Sequence, residues 1–264
     1  MVGPHGGTSD AGRPRAGAAA ARRSGGAAGE PALVLVAHGT RSRAGERTLR
    51  ALAESVRRLR PGCRVELGFL ELSSPLLADL LPSIAGPVVV VPLLLAGGYH
   101  AYVDLPHVLA RVRPDAMPAG RLGPHRLLTS ALTRGLARAG LRSTDAVVLA
   151  AAGTSDPAGL ADVRQAAHLL ALRLSRPVTA AFASAGTPTL AEAMDRLRSG
   201  PAARVAIASY LLAPGYFHDR LAAAGADLLS PPLGPDPYLA ALVWSRFDEA
   251  LTAASRPTAR AAHG

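Results

Sequence analysis

Lysine is missing from the 264 residues, so all 29 basic side chains are arginine. That excludes a Walker-type phosphate-binding lysine and any Schiff-base chemistry on a lysine amine. Cysteine occurs once, as Cys63. A lone thiol builds no disulfide framework, no CxxC pair and no thiolate cluster for zinc or iron–sulfur, and the reducing cytoplasm is the expected compartment. Aromatic residues make up only 4% of the chain, too few for base-stacking platforms, so nucleic acid is not an expected partner despite the formal charge of +10. The arginine excess equally suits an acidic small molecule, and a high-GC genome alone produces it. No apolar run reaches the roughly 20 residues that span a bilayer; Gly86 to Gly97, the longest, is broken by prolines. Neither a membrane partner nor a secretory signal before Pro31 is expected.

What is present falls into an ordered body between two tails. Residues 1–30 are Gly, Ala, Ser, Pro and Arg without apolar period, and read as a disordered tail, with a second tail at 256–264. From Pro31 onward short apolar runs alternate with amphipathic segments. Ala32 to Ala37, Arg64 to Leu70 and Pro87 to Leu95 read as strands buried on both faces, hence a parallel sheet. Helical patterns cover Glu46 to Leu59, Pro75 to Ile84, Asp104 to Val112 and Leu127 to Ala139, with Asp104 as the N-cap of the third ahead of Pro106. Alternating strand and helix define the α/β class.

The pattern then repeats. Val36-Ala37-His38-Gly39-Thr40 returns as Ala150-Ala151-Ala152-Gly153-Thr154, and Val65 to Pro75 aligns without a gap on Val178 to Pro188. Leu94 to Tyr99 (LLAGGY) returns as Leu211 to Tyr216 (LLAPGY), and Leu122-Gly123-Pro124 as Leu233-Gly234-Pro235. Four matches in one order predict two homologous α/β domains, 31–142 and 143–255, joined near Gly140 to Ser143.

In an open parallel sheet, ligands bind beyond the carboxyl ends of the strands. Three such ends in the first half carry His38, Glu71 and His100. Two imidazoles and a carboxylate around an open position suit Fe²⁺, Co²⁺ or Ni²⁺ and are too nitrogen-rich for Mg²⁺ or Ca²⁺.

His38-Gly39-Thr40, Phe69-Leu70-Glu71 and the run Pro92 to Pro106 (PLLLAGGYHAYVDLP) resemble the class II chelatases, the sirohydrochlorin cobalt- and ferrochelatases, over about residues 31 to 255. The resemblance implies two flavodoxin-like domains facing across a cleft that holds the tetrapyrrole. It further implies that His38, Glu71 and His100 act as metal ligands and proton acceptors. The metal, Fe²⁺ or Co²⁺, is then a substrate and no cofactor is permanently bound. The lack of a His-rich storage tract and the long two-domain form lean toward iron and siroheme over cobalt and cobalamin. In the second half Ala152, Ser184 and Phe217 replace the three groups together, which predicts one active and one degenerate half. His218 is one place off register and is read as standing apart from the substrate.

Metallation strips water from a divalent ion and removes two pyrrole protons, work suited to neutral imidazole near pH 7. Arg41 and Arg43, just after His38, are candidates to grip the substrate carboxylates, and Tyr99 and Tyr102 to lie along the macrocycle. His107 is a possible support for the site, His125 a loop residue and His168 structural. Two fused halves complete a cleft, making a monomer the simplest assembly. The competing reading is a chaperone or sensor that holds Co²⁺ or Ni²⁺ without chemistry. A flavodoxin-like redox or nucleotide module lacks its phosphate loop, because His38-Gly39-Thr40 offers one glycine.

Overall fold

The computed structural model describes residues 30–98, 104–202 and 204–255. Two four-stranded, fully parallel sheets carry the fold. The first has the order β2-β1-β3-β4, from β1 (Ala32–Ala37), β2 (Val65–Phe69), β3 (Val88–Pro92) and β4 (Met117–Pro118). The second, from β5 (Ala146–Ala151), β6 (Val178–Phe182), β7 (Val205–Ser209) and β8 (Leu228–Leu229), repeats it as β6-β5-β7-β8. Both are the doubly wound order expected of the α/β pattern, with the switch point at the first strand of each half. The two-residue strands β4 and β8 have too little sequence to announce themselves.

The helices are α1 (Arg43–Leu59), α2 (Leu77–Leu80), α3 (Leu105–Val112), α4 (Arg126–Ala139), α5 (Pro157–Leu174), α6 (Leu190–Arg198), α7 (Tyr216–Ala222) and α8 (Pro237–Ala254). α1 starts three residues before its predicted first turn, because the Ser42 hydroxyl accepts the Gly45 N–H at 3.2 Å and caps it. The helix predicted over Pro75 to Ile84 shrinks to α2 and a 3₁₀ turn at Leu81–Ser83. Pro82 has no N–H to continue the α-helical ladder. Asp104 is not the expected side-chain cap of α3: its own backbone is helical (φ −66°, ψ −50°), so its carboxylate makes no capping bond.

Strand residues alternate between two cores. Leu33, Leu35, Val89 and Val91 face a central core, while Val34, Val36, Val88 and Val90 face an outer one with Leu77, Leu81 and Leu105. The second sheet does the same, with Val148, Ala150, Val205 and Ile207 facing α6 and α7. The central core is continuous across both halves and is filled by α1, α4, α5 and α8. Within it the last helices cross over: α4 packs on β7, β8 and α5, and α8 packs on β3, β4 and α1. Trp244 of α8 donates its indole N–H to the Val56 carbonyl of α1 at 3.0 Å. Each half of the sequence therefore finishes the inner layer of the other. Among the described residues no helix is long and apolar enough to cross a membrane.

Candidate active site

The loops that leave β1 and β2 are bound to each other by backbone. The Glu71 N–H donates to the His38 carbonyl at 3.0 Å, and the Ser73 hydroxyl both accepts the Thr40 N–H and donates to the Thr40 carbonyl, each at 3.1 Å. Gly39 is left-handed (φ +108°), and a Cβ there would overlap the Glu71 carbonyl oxygen. Only glycine lets the two loops close this far. The result places His38 Nε2 at 3.1 Å from Glu71 Oε1, with side chains 36% and 54% exposed.

The second half keeps this backbone without the histidine and the carboxylate. Gly153 has φ +102°, the Ser184 N–H donates to the Ala152 carbonyl at 2.9 Å, and the Ser184 hydroxyl donates to the same carbonyl at 2.6 Å. Ser184 satisfies its own loop and presents no carboxylate.

His38 and Glu71 open into a cavity of about 590 Å³ between the halves. Its first-half wall is Ala37 to Ser42, Leu49, Glu71, Leu72, Leu93 and Leu94; its second-half wall is Leu211 to His218, the segment from β7 into α7. Arg41 lines it, whereas Arg43 begins α1, is exposed and is not among the lining residues. His100, Tyr99 and Tyr102 lie outside the described residues. Among the described residues no group of three His, Cys, Asp or Glu is gathered to hold a metal; His38 and Glu71 form a pair.

The segment leading toward His100 is held from the second half. Burial pushes the Tyr210 phenol far above its usual range, so it stays protonated, and it donates to the Leu95 carbonyl at 2.9 Å. Asp162 of α5 accepts the Gly97 N–H at 2.7 Å and is paired with Arg121 at 2.8 Å. Close approach between halves is mutual. A Cβ on Gly45 of α1 would meet the Pro214 carbonyl oxygen at 2.6 Å, and one on Gly159 of α5 would overlap the carbonyl oxygen of Gly97.

The remaining histidines sort plainly. His107 on α3 and His168 on α5 are exposed and outside the cavity. His125 is more than a loop residue: it is the N-cap of α4, its Nδ1 accepting the Leu127 N–H at 3.1 Å. Its counterpart in the repeat, Asp236, caps α8 in the same way through the Tyr238 N–H at 2.9 Å. His218, read from sequence as standing apart, lines the cavity with Phe217 and Tyr216. The register argument missed it because Tyr216 to His218 form the first turn of α7, where neighbouring positions fan out around the helix and a one-residue offset does not exclude a shared wall.

A family model described as CbiX matches residues 32–139 and again 146–250. The sirohydrochlorin cobaltochelatase of Methanopyrus kandleri is 35% identical over 82 residues, 30% of this chain, and the match spans 57% of that relative's length. Among solved structures, SirB from Bacillus subtilis with Fe³⁺ superimposes with a TM-score of 0.74 at 25% identity, covering 86% of this chain and 98% of that one. The sirohydrochlorin chelatase SirB from Bacillus subtilis subspecies spizizenii, in complex with cobalt, gives a TM-score of 0.68 at 23% identity over 83% of this chain and 94% of that one, a likeness of fold.

Proposed function

The chain belongs to the CbiX family, and from that premise we propose that it inserts a divalent metal ion into a sirohydrochlorin-type tetrapyrrole bound between its halves. The observation that carries this reading is the His38–Glu71 pair at the mouth of the first sheet, matched in the second half by the same backbone bearing alanine and serine. Nitrogen and oxygen ligands bind a first-row divalent ion at about 2.0–2.2 Å, so two of them on one ion stand roughly 3.0–3.4 Å apart. The 3.1 Å between Nε2 and Oε1 fits that bite.

Two protein ligands, with His100 as the proposed third on the loop after β3, hold an ion without enclosing it. An incomplete set is useful because the ion must be given up to four ring nitrogens. As it leaves, the two inner N–H bonds break and their electron pairs pass to the metal. The imidazole of His38, once released from the ion, has the basicity to accept one of these protons near neutral pH. Arg41 on the cavity wall suits a substrate carboxylate through charge-assisted hydrogen bonds. The donor set accepts Fe²⁺ and Co²⁺ alike; we favour Fe²⁺, with the metal a substrate, the tetrapyrrole the only partner and a monomer in the cytoplasm as the working unit.

The test mixes the purified protein with sirohydrochlorin and Fe²⁺ or Co²⁺ and follows the absorption spectrum. His38→Ala should lower the initial rate at least about a hundredfold, and Glu71→Gln should lower it less. Metal binding with no spectral change of the tetrapyrrole would make the protein a carrier instead.

A further inference from the structure

We propose that Leu72, the residue after Glu71, is an apolar contact through which the first half holds the face of the tetrapyrrole. The proposal rests on the chelatase reading of the cavity and adds a substrate-binding residue to it.

Leu72 is left-handed (φ +64°), a backbone that a residue with a branched side chain adopts only against a steric cost. Its neighbours close a tight turn over it: the Ser73 N–H donates to the Glu71 carbonyl at 2.7 Å. Turns that combine such a bond with a positive central φ are rare and strained. Bonds to the loop after β1 keep this one in place, from the Glu71 N–H to the His38 carbonyl and between the Ser73 hydroxyl and Thr40. The second half carries no such strain. There the positive φ (+127°) falls on Gly186, in the place of Ser73. Ala185, in the place of Leu72, is not left-handed, and its carbonyl accepts the Thr154 N–H directly at 3.0 Å.

The side chain gives the strain its meaning. Glycine would adopt the turn at no steric cost, yet the position carries a leucine that lines the cavity and is 48% exposed. Its Cβ lies 3.2 Å from the point that a Cβ on Gly39 would occupy, so it stands against the residue that follows His38. A strained backbone and an apolar group left to water thus coincide on one residue beside the His38–Glu71 pair. A leucine has no hydrogen bond to offer a carboxylate, and the part of the substrate that suits it is the macrocycle face. A ring bound for metallation at the pair covers this side chain and removes it from water.

The experiment uses the full chain and its variants Leu72→Gly, Leu72→Asn and Leu72→Met. Three quantities are read: melting temperature, Co²⁺ affinity of the protein alone, and affinity for metal-free sirohydrochlorin by absorption titration. Glycine and asparagine both accept a left-handed backbone, so neither should lower the melting temperature by more than about 2 °C. Both should weaken sirohydrochlorin binding at least about fivefold while Co²⁺ affinity stays within about twofold of wild type. Leu72→Met keeps an apolar side chain of similar volume and should bind sirohydrochlorin within about twofold of wild type. Wild-type sirohydrochlorin affinity in the glycine and asparagine variants overturns the proposal. A larger fall in melting temperature overturns it in favour of packing between the loops, and a matching loss of Co²⁺ affinity in favour of a turn that only aims Glu71. A loss in Leu72→Met equal to that in Leu72→Asn also overturns it, because apolar character would not then be what binds. If wild type itself binds no sirohydrochlorin, the chelatase reading falls first and the proposal falls with it.

Discussion

Asp162 on α5 accepts the backbone N–H of Gly97 at 2.7 Å, so a carboxylate of the second half fixes the segment three residues ahead of His100. The bond has no mirror image. Pro214 stands where Gly97 stands and has no N–H to give, and Thr48 stands in the place of Asp162, its hydroxyl spent on the Ala44 carbonyl at 2.9 Å. The second half carries Ala152 and Ser184 in place of His38 and Glu71, and it holds the loop of the first.

Removing that carboxylate should therefore cost stability. The Asp162 side chain is 12% exposed, and Asp162→Ala leaves the Gly97 N–H and the Arg121 guanidinium short of a partner. The expected loss is about 1–3 kcal/mol, with Asp162→Asn losing less because an amide oxygen still accepts from Gly97. Urea unfolding of the three proteins measures it; equal stability would show that water replaces the carboxylate at no cost.

Gly45→Ala and Gly159→Ala should both destabilise, although alanine favours a helix over glycine by about 1 kcal/mol. The added Cβ meets a backbone carbonyl of the other half, Pro214 or Gly97, and backbone cannot rotate aside. Overpacking costs about 1–3 kcal/mol, so the net should be a loss. Thermal unfolding is the check, and a raised melting temperature in either variant would mean that the halves separate easily at that point.

His125 should make stability pH-dependent. Burial, with Arg246 and Arg126 nearby, lowers its imidazole below the usual value while Glu249 acts in the opposite sense. The unfolded chain then binds the proton more readily than the folded one. The contribution is complete above the ordinary imidazole pKa of about 6.5 and is lost as pH falls from there through the lowered value. His125→Asn keeps an N-cap that does not titrate. The melting temperature of wild type should drop relative to that variant between pH 7.5 and pH 5.5; parallel curves would remove His125 as the cause.

Arg41 and Arg43 should separate in kinetics. Arg41 lines the cavity and Arg43 does not. If Arg41 grips a carboxylate equally in ground and transition states, Arg41→Ala raises KM and leaves kcat mostly intact, and Arg43→Ala changes neither by more than about twofold. Steady-state metallation rates over a range of sirohydrochlorin concentrations decide the matter.

The sequence by itself determined the fold class and the duplication. Continuous apolar runs such as Pro87 to Leu95 declared strands buried on both faces, and the return of the first-half motifs after Gly140 declared a duplicated unit. Alanine at 152 and serine at 184, where the first copy has His38 and Glu71, told the two copies apart. These are local signals, written in residues that lie within one element or at its exit. Tertiary structure alone decided what crosses between copies: the exchange of α4 and α8, the bonds from Tyr210 and Asp162 to the loop after β3, and the place of His218 in the lining of the cavity into which His38 opens. Periodicity records which face of a helix is apolar but not which sheet that face will cover, because apolar burial is non-directional. The choice between them is made by packing between elements far apart in the chain, as with Trp244 and Val56, 188 positions apart, and no window of sequence contains it.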